Sequence, residues 1–320
     1  MLQAEEARKT VRTDVTFVSN GLTPAGHLHT PDARVGHPLA AIVVIRPWGG
    51  VKEQTAGLHA RRLTEHGFTV LAFDTAHQGT SEGEPRFLEN PVQRAEDIQD
   101  AVSYLSAQKD VGPDCIGALG ISTGGGHALY AAIGDQRIRA VGTVSAACIG
   151  SLLRDGFGGG QGPAVFRDPL ARAGLLRTDE ARGEPTLLEH IVPEEVDATT
   201  PDHLRQRYEY YRRAARSAHL RSENAWMLRS VHQTPSTAPR QHRKPRSAPA
   251  ADGRGQRGRH GPLQAKDRRT GRGNRRSCSG STALPLRPLR QGRRRFPALA
   301  KLTSFFGEHP SPPPVEGRAA

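Results

Sequence analysis

A serine at a tight strand-to-helix turn is the strongest candidate for chemistry in this chain. It is Ser122, within Gly120-Ile121-Ser122-Thr123-Gly124. The approach, Cys115-Ile116-Gly117-Ala118-Leu119, is short and apolar, as a buried parallel strand is. The exit, Gly125 to Ala132, reads as a helix with little bulk in its first turn. So sharp a turn strains the backbone and exposes the hydroxyl. Small residues two before and two after the serine let strand and helix pass closely. The chemistry such a turn serves is acyl transfer. It requires a base to take the hydroxyl proton, an acid to orient that base, and donors for the oxyanion.

The N–H of Thr123, next after the serine, is one candidate oxyanion donor. The second is expected in the loop Arg46-Pro47-Trp48-Gly49-Gly50, at Trp48 or Gly49. Glycines there let the backbone approach a substrate. The competing reading is a simple turn with Trp48 packed against the body. His27 and His29 share one strand face, but no third ligand lies nearby. They are expected to face solvent, and no metal site is assigned. No phosphate loop or dinucleotide fingerprint occurs, so no cofactor is expected. Gly158-Gly159-Gly160 follows no strand and reads as a connection. Three cysteines, Cys115, Cys148 and Cys278, form no disulfide framework. Cys115 and Cys148 fall in apolar stretches and read as small core residues.

The elements that must position Ser122 follow from periodicity. Residues 13–31 read as an antiparallel hairpin with turn residues at Asn20-Gly21. Leu39 to Ile45 is a continuous apolar run and hence a buried strand. Gln54 to His66 has helical spacing and stops at Gly67. Phe68 to Phe73 is the next strand and delivers Asp74; Val92 to Leu105 is an amphipathic helix. Ile138 to Ile149 reads as a strand after the helix that follows Ser122. Strands alternating with helices at this spacing imply an α/β fold, a doubly wound and mainly parallel sheet, over residues 1–149.

Residues 150–231 are more polar and read as a helical cap inserted over the sheet. Thr200-Pro201-Asp202 is a helix start with a Thr cap. Tyr208, Tyr210 and Tyr211 follow on that helix, to pack the cap onto the body or to line a pocket.

The chain carries a net charge of +13, which points at nucleic acid until the charge is located. Residues 232–296 hold 16 Arg, 2 Lys, 2 Asp and no Glu, a net of +16, which leaves −3 for the remainder. The same segment has no Val, Ile, Met, Tyr or Trp, and no period of 2 or 3.6. Such a composition does not build a core. It extends to about residue 297. Residues 298–309 then restore a helical pattern, and 310–320 are a Pro-rich tail. No apolar run approaches membrane-spanning length, and the polar, acidic start is no signal peptide; a cytoplasmic location is expected.

At RPWGGVKEQTAGLHARRLTEHGFTVLAFDTAHQGTSEGEPRFLENP, IGALGISTGGGHAL and VGTVSAACIGSLLRDG the sequence resembles a known family. It is similar to the dienelactone-hydrolase and acyl-peptidase-like group of the α/β-hydrolase superfamily, over about 13–231 and again from about 298. The resemblance places Ser122 at the nucleophile position and gives Asp74 to Ser81 a mainly structural role. Members often carry His where Arg46 stands, and some carry Cys at the serine. The family pattern also requires an Asp after the seventh strand and a His after the eighth. Both fall within 232–296, where no apolar strand precedes Asp252, Asp267, His232, His242 or His260. None of these is assigned a role.

The segment reads differently one base later. Codons for His242 to His260 then permit IESLAPRPLLMVAGSEADT, an apolar strand followed by a polar loop with Asp. Leu286 to Gly292 permit YDRYDK in the same shifted frame. The expectation is therefore a frame-shifted segment at 232–296 inside an esterase-like serine hydrolase acting on a small acyl or ester substrate. The alternative is a non-catalytic protein whose basic arm grips nucleic acid through phosphates. Aromatic interleaving, which base stacking would need, is confined to Phe296.

Overall fold

The computed structural model describes residues 9–32, 37–156, 166–213, 218–237 and 306. Six strands form one sheet: β1 (Thr10–Thr16), β2 (Ala25–Pro31), β3 (Leu39–Ile45), β4 (Thr69–Phe73), β5 (Val111–Ile121) and β6 (Ile138–Val144), in the order β1-β2-β4-β3-β5-β6. β1 and β2 are antiparallel, and β2 joins β4 antiparallel. The pairs β4–β3, β3–β5 and β5–β6 are parallel. The central registers align Val43 with both Leu71 and Ala118.

Both faces are covered, which explains why the central strands are apolar without alternation. On one face α2 (Pro91–Ser106) and α3 (Thr123–Gly134) pack on Val43, Ile45, Leu71, Phe73 and Ile116. α2 begins with Asn90, whose side chain accepts from the N–H groups of Val92 (3.1 Å) and Gln93 (3.3 Å), with Pro91 in its first turn. Ile98, Ala101, Val102 and Leu105 repeat at helical spacing and are fully buried. On the other face α1 (Gly57–Glu65), entered through a wide π-type turn at Lys52–Ala56, buries Ala60 and Leu63 against Ile42, Val44 and Val70. Burying each such Leu or Ile stabilises the fold by about 1.5–3 kcal/mol.

Phe306 belongs to that second face. Its ring meets Phe68 edge to face at 6.3 Å, and with Ile42, Gly117 and Ala140 it lines a groove on the sheet. A Cβ on Gly117 would lie 2.6 Å from the Phe306 ring, so the glycine makes the slot.

The stretch after β6 contains α4 (Ile149–Asp155), α5 (Arg167–Ala181) and α6 (Asp202–Tyr211). It also contains a short antiparallel pair, β7 (Leu188–His190) with β8 (Ala225–Met227), followed by a 3₁₀ turn at Leu228–Thr237. Phe166, Ala173, Trp226 and Val231 give it a small core of its own.

Three sequence expectations are corrected. The strand from Ile138 ends at Val144 and not at Ile149, because Ser145 turns the chain with a φ of 49°. α6 has no Thr cap: Pro201 stands at its cap, and the Thr200 hydroxyl bonds Asp197 Oδ1 at 2.9 Å instead. His27 and His29 are buried, not solvent-facing, since β2 lies inside the sheet between β1 and β4. Burial also pushes His29 down to a pKa of about 4. Cys115 is buried and Cys148 half-buried. Cys278, Gly158-Gly159-Gly160, the arginine-rich segment beyond Thr237 and all of 298–320 except Phe306 lie outside the described residues.

Candidate active site

Ser122 stands at the junction of β5 and α3, half-buried, with φ 54° and ψ −122°. Only glycine adopts that conformation easily, so a serine there holds strain that the surroundings must fix. They do so with three backbone hydrogen bonds. The Ser122 N–H donates to Val144 O (2.9 Å), and its carbonyl accepts from Gly125 (2.9 Å) and Ala147 (3.0 Å). The glycines on either side are required sterically. A Cβ on Gly120 would overlap the backbone of Gly124 and Gly125, and one on Gly124 would lie 2.6 Å from the carbonyls of Ile45 and Arg46. The strand, the turn and the neighbouring β3 loop thus meet with no room for a methyl group.

Thr123 is the first residue of α3, where an N–H has no acceptor within the helix. Its Oγ1 is buried and unpartnered among the described residues. Across the junction, Pro47 to Gly50 form a turn closed by Gly50 N–H to Pro47 O at 3.2 Å. Trp48 Nε1 is likewise buried without a partner among the described residues. The ring of Trp48 rests on Trp226 of the insertion, so it packs against the cap and not against the body.

Gly49 has a φ of 68°. A Cβ there would lie 2.8 Å from Ile191 Cδ1 and 3.1 Å from Asn224 Cα, and its carbonyl accepts from Ser222 Oγ at 3.1 Å. The close approach that this glycine permits is that of the insertion.

Beneath this loop lies Arg46, fully buried. It donates to Pro47 O (3.1 Å) and Thr75 Oγ1 (2.7 Å), and burial together with Arg94 lowers its pKa to about 9. Asp74 is also fully buried and anchors the start of the following turn. It accepts from Lys52 N (2.8 Å), Lys52 Nζ (2.9 Å) and Thr80 N (3.1 Å), a structural role. The tyrosines of α6 pack the insertion down: Thr55 Oγ1 donates to Tyr210 OH at 3.1 Å, and burial raises Tyr211 to about 12.

Among the described residues, no hydrogen bond joins the Ser122 hydroxyl to a histidine or a carboxylate. His242, His260, Asp252 and Asp267 lie outside the described residues, as does the side chain of His232. Sequence reasoning missed the polar group behind the elbow helix, made by Glu89, Arg94 and His127. Each is nearly fully buried, Arg94 donates to Glu89 at 2.6 Å, and His127 lies far along the chain from both with no motif to link it to them. Among the described residues no cluster of three His, Cys, Asp or Glu could hold a metal ion.

Comparison with known proteins decides the family. Residues 25–256 match the model of the X-Pro dipeptidyl-peptidase (S15) family. The chain belongs to this family. With it, the chain belongs to the α/β-hydrolase superfamily, as the sequence resemblance implied. The S15-family chain is 42% identical over 195 residues to the uncharacterized protein YcjY of Escherichia coli, covering 60% of this chain and 63% of that one. It matches the crystal structure of the hypothetical protein PA2218 from Pseudomonas aeruginosa with a TM-score of 0.67 and 31% identity, over 73% of this chain and 75% of the other. The α/β hydrolase GrgF from Penicillium matches with a TM-score of 0.56 and 26% identity, over 71% and 73%. The chain thus spans less than two thirds of the E. coli relative's length. Among the described residues no helix is long and apolar enough to cross a membrane.

Proposed function

We propose that this polypeptide descends from, and is built as, a serine hydrolase that transfers the acyl group of a small ester or related substrate through Ser122. The observation that carries the reading is the backbone at Ser122. A non-glycine residue at φ 54°, ψ −122°, at the mouth of a parallel sheet, is costly and has no evident packing purpose. In this role the Ser122 hydroxyl attacks the acyl carbon. The N–H of Thr123 and that of Trp48 or Gly49 hold the oxyanion, and water releases the acyl group. Membership of a hydrolase family and the likeness to an α/β hydrolase support this assignment.

The family pattern places the base and the acid within residues 232–296, where the sequence as written offers no strand to carry either. We infer that residues 232–296 are read in a displaced frame. Their composition changes abruptly, one base of shift restores an apolar strand followed by Asp, and Phe306, just beyond, is seated in the core. Without a triad partner, catalysis by binding and oxyanion stabilisation alone amounts to roughly 10³–10⁴-fold over water. The test is hydrolysis of p-nitrophenyl esters by this chain and by Ser122→Ala. A rate above the variant's supports the reading, and equal rates overturn activity of this polypeptide. Independent sequencing of the gene tests the frame, and an unchanged reading through 232–296 overturns that inference.

A further inference from the structure

We propose that Glu89 is a positioning residue that couples the helix behind Ser122 to the insertion, by holding His127 in its Nε2–H tautomer. Its consequence for catalysis rests on the reading of Ser122 as nucleophile.

Glu89 is fully buried at the foot of α2. Its Oε2 accepts from Arg94 Nη2 at 2.6 Å, whereas Oε1 has no hydrogen-bond partner among the described residues. Facing Oε1 at 3.7 Å is His127 Nε2, itself buried and without a hydrogen-bond partner among the described residues. An unpaired buried acceptor is costly, and so is an unpaired buried donor. The two atoms satisfy one another by an approach of less than about 1 Å, provided the imidazole proton sits on Nε2. His127 is neutral, because burial and the nearby guanidinium groups of Arg94 and Arg46 hold its pKa well below the usual value. A neutral imidazole has one N–H, and the carboxylate draws it to Nε2.

The second arm is the Glu89 backbone. Its N–H donates to Ser230 Oγ at 3.1 Å, inside the 3₁₀ turn that follows β8. Nearby, Met227 N–H donates to Phe87 O at 2.9 Å. Residues 87 to 89 therefore carry the insertion on their backbone, while the Glu89 side chain reaches α3. His127 and Ser122 belong to the same rigid helix start, so a shift at His127 is passed to the nucleophile. No hydrogen bond joins His127 to Ser122, and its role is not that of the base.

The decisive variant is Glu89→Gln, which keeps the size and the oxygen for Arg94 but turns an NH₂ toward His127. Long-range ¹H–¹⁵N spectra should show His127 as Nε2–H in the native protein and as Nδ1–H in the variant. His127→Phe identifies the signal. In both variants the amides of α3 and β8 should exchange about tenfold faster while those of β3 and β4 do not change. Labelling of Ser122 by a fluorophosphonate should slow about tenfold in each, and the double variant should be no slower than the slower single.

A native Nδ1–H tautomer, an unchanged tautomer in Glu89→Gln, exchange that rises equally in β3 and β4, or unchanged labelling each overturns the proposal. If Glu89→Gln does not fold, His127→Phe leaves the Glu89–Arg94 pair intact and decides by exchange and labelling. If native Ser122 does not label, it is the activity of this polypeptide through Ser122 that fails, and tautomer and exchange decide this proposal alone.

Discussion

The indole rings of Trp48 and Trp226 meet edge to face, with centroids 4.8 Å apart and planes at 61°. One comes from the loop after β3 and the other from β8 of the insertion. The contact therefore roofs the loop expected to supply an oxyanion donor with a piece of chain that lies nearly 180 positions later. Trp226→Ala should cost about 3–5 kcal/mol, since it opens a cavity in the small core formed with Phe166 and Val231. Differential amide exchange should place the loss in β7, β8 and α5, with the main sheet little affected.

Ser122→Gly and Ser122→Ala should part company. Glycine relieves the positive φ and should raise stability by about 1 kcal/mol or more, whereas alanine retains the strain. Both should abolish fluorophosphonate labelling. Denaturant titration of the three proteins checks the order.

Gly124→Ala should damage the fold more than any loop substitution nearby. The added methyl lands 2.6 Å from two backbone carbonyls that have no freedom to yield. The cost should be about 1–3 kcal/mol or more, read as a fall in Tm, with Ser122 labelling lost at temperatures where the protein is still folded.

Stability should fall as the solution is acidified from about pH 6.5 to pH 4. His29 is held neutral in the folded protein, with its pKa lowered to about 4 from 6.5. The unfolded chain therefore binds the proton first. The stabilisation is fully present above pH 6.5, and it is lost progressively until the folded pKa is reached. The full span for this residue is about 3 kcal/mol. Urea titrations between pH 4 and 7 should show the slope, and His29→Leu should flatten it by that share.

Much of the fold was legible because its strands are buried on both faces. Leu39–Ile45 stands in the sequence as an unbroken apolar run and is β3 residue for residue. The elbow was legible for a different reason: its geometry leaves no room for a Cβ at position 120 or 124, so both must be glycine. The β7–β8 pair was not. Three residues per strand carry no period, and Trp226 declares its purpose only when Trp48 is set beside it. The burial of His27 and His29 was hidden too. Alternation along β2 gives their shared face, but covering that face takes α1 and the neighbouring strands. The pairing of Glu89 with His127 was illegible for want of any local pattern, since the two meet only when α3 is laid beside α2.

Phe306 in its glycine slot has an architectural consequence. Gly117 leaves a seat on the sheet face that is closed by a ring from far along the chain, so the flank of β5 is completed by a residue that the sheet itself does not supply. A methyl group at Gly117 would evict that ring and leave Phe68 without its edge-to-face neighbour, so one missing side chain on a strand decides how a distant part of the chain is held.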